Sequence, residues 1–164
     1  MLIGQGSQGT VFLKDNIAIK KSKYENLDKI RDEYKHLLEI NRRIPKHSHI
    51  IKVYNFYNNS YSMEYLQDYQ QLSENYIETL SLHQRESIFN QVEKTLMDLH
   101  NTNYVHGDLR MLENIMYNSE TDNIKLVDCG YCCSLDGTSQ QKALHLIKID
   151  YQHLWMLKNK LGLI

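Results

Sequence analysis

Four polar side chains sit where the chain could handle phosphate. The stretch YVHGDLRMLENIMYN (104–118) places His106, Asp108 and Asn114 directly after an apolar helical pattern. The run IKLVDCG (124–130) then delivers Asp128 at a strand end, just before Gly130. Asp108 can accept a proton from an attacking hydroxyl, and the oxygens of Asn114 and Asp128 suit Mg²⁺, a hard cation that offsets phosphate charge. At the other end of the chain, Gly4, Gly6 and Gly9 precede an alternating run that ends in Ala18-Ile19-Lys20. Without Cβ atoms, such glycines let backbone amides approach phosphate oxygens. A dinucleotide fold would need the glycines to open a helix, whereas here a strand pattern follows them, as in a flap between two strands. Lys20 could reach phosphates under that flap. Glu33, at the edge of a helical apolar face, could pair with Lys20 and hold it. Each residue alone also has a plain reading: a surface turn, a solvated lysine, an exposed helix charge.

The elements that must position these groups are legible in outline. Residues 10–20 alternate as two short strands joined at Lys14–Asn16, where Asp and Asn supply turn chemistry. Leu27, Ile30, Tyr34, Leu37 and Leu38 recur at helical spacing over 27–41. HIIKVYNFY (49–57) and YSMEYL (61–66) read as strands, and a short helix is all that 67–82 suggests. A second helical stripe covers 86–100, NIMYN and NIKLVD flank SETD as a hairpin, and a last helix runs from about Ser139 to Lys160. Its apolar stripe joins Ala143, Ile147, Leu154, Trp155, Leu157 and Leu161, with Asp150 lying on it, a costly place for an unbonded carboxylate. Strands crowd the first third and helices the remainder, the pattern of an α+β protein with a sheet lobe and a helical lobe.

In this order the segments resemble the protein kinase superfamily, whose set is a glycine-rich loop, a lysine in V-A-I-K, a helix glutamate, H-R-D-L-x-x-x-N and D-F-G. The resemblance implies a two-lobed kinase-like fold with a small β-rich N-lobe and a truncated helical C-lobe. It implies one minimal domain over 1–164, with N-lobe and hinge in 1–66 and C-lobe in 67–164. It implies ATP as cofactor, with Mg²⁺ (or Mn²⁺) held by Asn114 and Asp128. Gly4, Gly6 and Gly9 would cover the phosphates, and Lys20, held by Glu33, would orient them. Val11, Ala18 and Met116 would sandwich adenine, Met63 would be the gatekeeper, and Glu64 and Leu66 would offer backbone groups. Asp108 would be the catalytic carboxylate, with Arg110 near the γ-phosphate. His106 and Asp150 would be structural, Asp150 bonded to the backbone of the catalytic loop. The activity implied is serine/threonine-type phosphotransfer or ATP hydrolysis. The alternatives are a kinase-shaped regulator and a small-molecule kinase.

The departures are specific. Only Met1, Leu2 and Ile3 precede the glycines, so the first strand should be almost absent. Gly107 replaces the usual arginine, five residues rather than four separate Asp108 from Asn114, and Cys129 replaces the phenylalanine of D-F-G. No A-P-E motif follows. His-Gly-Asp resembles the small kinase of the KEOPS complex and aminoglycoside phosphotransferases, and the missing activation segment resembles the KEOPS kinase and RIO-type kinases. Cys129, Cys132 and Cys133 invite a zinc reading, but their spacing lacks a second ligand pair, and buried thiols are the plainer expectation.

Bulk properties narrow the classes. The 164 residues carry a net charge of −1, which gives no pull toward nucleic acid or anionic lipid. No apolar run approaches the ~20 residues of a membrane span. Three cysteines, two adjacent, form no disulfide framework and suggest a reducing, intracellular setting. So few helices should leave apolar surface exposed, which fits a protein substrate, a partner or a homodimer.

Overall fold

The computed structural model describes residues 1–5, 9–23, 27–44 and 49–164. The N-terminal part is a sheet. Strands β1 (Leu2–Gln5), β2 (Gly9–Lys14) and β3 (Ile17–Ser22) are followed by helix α1 (Leu27–Arg43), β4 (Val53–Tyr57) and β5 (Ser60–Glu64). The sheet order is β1-β2-β3-β5-β4, with all neighbours antiparallel. The β2–β3 turn closes on Asp15 and Asn16, whose φ angles of 50° and 60° are the left-handed values a tight hairpin requires.

The remainder is mostly helical. Strand β6 (Gln70–Gln71) leads to helices α2 (Glu74–Thr79) and α3 (Leu82–Asn101). Strand β7 (Tyr104–Val105), a single 3-10 turn (Leu112–Asn114), β8 (Ile115–Asn118), β9 (Asn123–Leu126) and β10 (Cys133–Ser134) precede helix α4 (Gln140–Lys160). The chain is thus α+β, with a β-rich lobe ahead of a helical one. Ser81 and Gln84 form a reciprocal capping box that starts α3, and Ser139 caps α4. Ile88, Val92, Leu96 and Leu99 of α3 and Leu37 and Ile40 of α1 are fully buried, so each helix contributes one stripe to the core.

Three expectations need correction. The first strand is present: β1 runs through Gly4, with Gly4 opposite Val11 and Gln5 opposite Thr10, because β2 offers an edge for even four residues to pair with. The strand expected over 49–57 begins only at Val53. The residues before it pair elsewhere: the Leu126 amide donates to His49 O at 2.6 Å and the Ile51 amide to Leu126 O at 3.1 Å, which ties the two lobes through backbone. On α4, Leu154, Leu157 and Leu161 are buried as expected, but Trp155 is 61% exposed, one position off the buried face.

Candidate active site

The register of the sheet assembles the upper half of the site. Val11 stands opposite Lys20, Lys20 opposite Tyr61, and Ala18 opposite Met63. Residues two apart share a face, so Val11, Ala18, Lys20, Tyr61 and Met63 all belong to one face of the sheet. Helix α1 brings Glu33 to it. Lys20 Nζ lies 2.7 Å from Glu33 Oε1, and the Tyr61 hydroxyl donates to the same oxygen at 2.9 Å. Lys20 Nζ also reaches Asp128 Oδ1, at 3.3 Å. Burial opposes both charges of the inner pair. For Lys20 burial is outweighed by the carboxylates of Glu33 and Asp128, and its pKa ends above the ordinary lysine value. For Glu33 burial prevails over Lys20 and raises the carboxyl.

Asp128 occupies an unusual backbone position. Its φ of 59° is left-handed, a region aspartate tolerates better than most residues. The Gly130 amide donates back to Asp128 Oδ1 at 3.2 Å, a local turn that fixes the carboxylate. Oδ1 is therefore shared by Lys20 and Gly130, and Oδ2 has no protein partner among the described residues.

The lower half is organised by Asp150. This fully buried carboxylate of α4 accepts the His106 amide at 3.0 Å, the Gly107 amide at 2.8 Å and His100 Nε2 at 3.0 Å. Burial alone would raise its pKa, but these bonds hold it below the ordinary value. Gly107 has φ +80°, and a Cβ there would fall 2.7 Å from the Tyr131 carbonyl oxygen. Glycine replaces the family's arginine here because the segment after Asp128 crosses too closely for a side chain. His106 is wholly buried, and burial lowers its pKa, which keeps the ring neutral.

The longer loop still closes. Leu112–Asn114 wind into a 3-10 turn, and Asn114 Nδ2 donates to the Asp108 carbonyl at 2.8 Å. The Val127 amide donates to Asn114 O at 2.9 Å, which sets Asn114 beside the residue preceding Asp128. Asn114 Oδ1 has no protein partner among the described residues. Two hard oxygens, Asn114 Oδ1 and Asp128 Oδ2, thus suit a divalent cation such as Mg²⁺. Arg110 Nε binds Asp108 Oδ1 at 2.9 Å.

The buried lysine–glutamate pair, the Lys20–Asp128 contact and the Asn114–Asp108 bond agree with a direct comparison. The model of the protein kinase domain matches residues 1–152. The chain belongs to the protein kinase family. It is 29% identical over 133 residues to the mouse phosphorylase b kinase gamma catalytic chain, liver/testis isoform, and 32% identical over 125 residues to the bovine one. Those matches take in 78% and 73% of this chain but 32% and 30% of the relatives, so the chain spans about a third of their length. A kinase domain implies ATP with a divalent metal.

The other sequence-derived positions fall as follows. Met63 is buried beside Ala18, and Met116 lies on β8, opposite Lys125. Lys125 Nζ meets Glu64 Oε1 at 2.8 Å, so the β8–β9 hairpin is drawn to the end of β5. The Glu64 amide donates to Lys52 O at 2.9 Å, and the Leu66 carbonyl accepts the Tyr69 amide at 3.3 Å. Gly4 lies inside β1, where a Cβ would meet only Val11, at 3.6 Å. Gly9 is tight: a Cβ would stand 2.7 Å from Lys21 O. Gly6 lies outside the described residues. Among the described residues no helix is long and apolar enough to cross a membrane.

Sequence reasoning missed three residues. Tyr61 could have been found from its spacing two before Met63, which puts it on the lysine face. His100, the Asp150 partner, carries no signal in a helix end. Arg43 ties α1 to the other lobe, reaching Asp136 Oδ2 at 3.0 Å and Thr102 O at 3.1 Å; only the fold reveals that contact.

Proposed function

We propose that the chain is an atypical serine/threonine-type protein kinase that moves the γ-phosphoryl group of Mg²⁺·ATP to a protein hydroxyl. The observation that carries this reading is the Lys20 ammonium, buried and held by Glu33 on one side and Asp128 on the other. A buried lysine fixed between two lobes is costly to build and fits a phosphate anchor. Residues 1–164 would act as one minimal domain, with 1–66 as N-lobe and hinge and 67–164 as C-lobe. The short return after Asp128 supports a likeness to the KEOPS-complex and RIO-type kinases. The three free cysteines suit a reducing, intracellular setting.

In this reading Gly4, Gly6 and Gly9 lie over the phosphates, and Lys20 orients the α and β groups. Val11, Ala18 and Met116 enclose adenine, with Met63 behind it and backbone groups of Glu64 and Leu66 at its edge. Asn114 and Asp128 hold Mg²⁺, which when bound neutralises phosphate charge. Asp108 takes the proton of the acceptor hydroxyl as its oxygen bonds to phosphorus and the bond to ADP breaks. Arg110 pivots from Asp108 toward the transferring group. Catalysis of this kind is positioning and charge neutralisation, so each member matters by orders of magnitude.

One observation favours a second reading, a kinase-shaped regulator: Arg110 caps Asp108 at 2.9 Å, where an acceptor hydroxyl must arrive. Titration calorimetry of ATP with and without Mg²⁺, followed by labelled-ATP transfer to protein acceptors, separates the two. Mg²⁺-dependent binding with transfer that Asp108→Asn abolishes supports the enzyme. Transfer unchanged in that variant sinks the assignment, and binding without any transfer favours the regulator.

A further inference from the structure

The segment after Asp128 carries a cluster that phosphoryl transfer does not use. Cys129 and Cys132 are spaced C-x-x-C, and the Cys132 amide donates to the Cys129 carbonyl at 3.0 Å, closing a turn that sets both thiols on one side. A ring nitrogen of His106 and the two sulfurs lie within 4.8 Å of one another, and all three residues are buried. Among the described residues His106 Nε2 has no hydrogen-bond partner, an exceptional state for a buried ring nitrogen. Cys133, next in sequence, is only half-buried and lies outside the cluster.

We propose that His106, Cys129 and Cys132 supply three of the four ligands of a zinc site that fastens the segment after Asp128 to the catalytic loop, a water molecule completing the tetrahedron. The donor set is soft and borderline, as zinc prefers, and its charges close: Zn²⁺ with two thiolates and a neutral imidazole is a neutral unit, the form a dry interior tolerates. On binding, Zn²⁺ replaces the two thiol protons, which leave to solvent, and no electron moves. Coordination through Nε2 places the ring proton on Nδ1. The Asp108 amide now points at Nδ1 at 3.4 Å, a bond long enough to give way. The metal then does by coordination what an aromatic side chain at position 129 would do by packing: it holds the segment after Asp128 against His106 of the catalytic loop.

This inference does not depend on the phosphotransfer reading, and its test reads the metal rather than activity. The full chain, reduced and stripped with chelator, is titrated anaerobically with Co²⁺. The expected result is stoichiometric uptake with a near-ultraviolet thiolate charge-transfer band and strong visible bands, bleached by Zn²⁺. Cys129→Ser and Cys132→Ser each abolish the band, and Cys133→Ser keeps it. No band in the wild-type chain, or a band that persists in both single variants or requires Cys133, overturns the proposal. Because either variant could misfold, the wild-type chain is also labelled with a maleimide in enough urea to expose all three thiols of the metal-free form. Zinc shields Cys129 and Cys132 but not Cys133 if the site is real, and equal labelling of all three with and without zinc refutes it.

Discussion

Asn114 donates through Nδ2 to the backbone carbonyl of Asp108 at 2.8 Å, across a loop one residue longer than the family's. The extra residue is absorbed in the 3-10 turn over Leu112–Asn114, so the amide oxygen stays free for a cation. Asn114→Ala removes both the bond and the oxygen. We expect a loss of about 1 kcal/mol of stability and of the Mg²⁺ dependence of ATP binding. Thermal melts and titration calorimetry check the two halves separately; Mg²⁺ dependence that persists would remove Asn114 from the metal site.

Lys20 and Glu33 predict non-additive energetics. Removing one partner leaves a charge buried, so Lys20→Met should cost about 3–5 kcal/mol. The double variant Lys20→Met/Glu33→Gln should recover much of that, since no orphan charge remains. Urea unfolding of the four proteins in the cycle measures it. Simple additivity would mean that the pair relaxes to solvent when broken.

Two glycines predict opposite outcomes. Gly107→Ala puts a Cβ 2.7 Å from a backbone oxygen at φ +80° and should destabilise by about 1–3 kcal/mol. Gly4→Ala meets only Val11 at ordinary contact distance, 3.6 Å, and should shift stability by no more than about 0.5 kcal/mol. Melting temperatures decide it, and equal effects at both positions would contradict the tight crossing of Tyr131 over Gly107.

Acid should weaken the fold in two stages. His106 is held by burial below the ordinary histidine value of 6.5, against the pull of Asp150, Asp128 and Asp108. The unfolded chain therefore takes the proton first, so stability is full above about pH 6.5 and falls as pH drops toward the folded value. Burial lowers His36, His49 and His153 as well, and they add to the same stage. Asp150 sits below 3.8, because the His100, Gly107 and His106 bonds outweigh burial. Its contribution is present above 3.8 and is lost as pH falls through the lower folded value. Calorimetric melts between about pH 4 and 8 should show the first decline, reduced in His106→Gln. A melting temperature that rises from pH 7 to pH 5 would reverse the sign.

What could be read from sequence was what local pattern encodes. The spacing of Ile30, Leu37 and Leu38 marks α1, and the Asp-Asn pair at 15–16 marks the hairpin. Asp150 stood out because a carboxylate on an apolar stripe must have a partner. The type and order of Lys20, Glu33, Asp108, Asn114 and Asp128 resembled the protein kinase set, and the fold joins Lys20 to Glu33 and Asp128. Distances between segments were illegible. Nothing local says that Tyr131 crosses Gly107, that Arg110 turns back on Asp108, or that Trp155 falls off the buried face. β1 was missed because a short edge strand is defined by its neighbour's free edge, not by its own residues.

The segment after Asp128 returns within a few residues to pair Cys133 with Val105 and Ser134 with Tyr104, right beside the catalytic loop. Residues 131–139 thus leave no slack for a long loop that must be marked before the site can work. The catalytic loop and the segment after Asp128 are therefore one antiparallel unit, in which displacing either strand first breaks the pairing with the other.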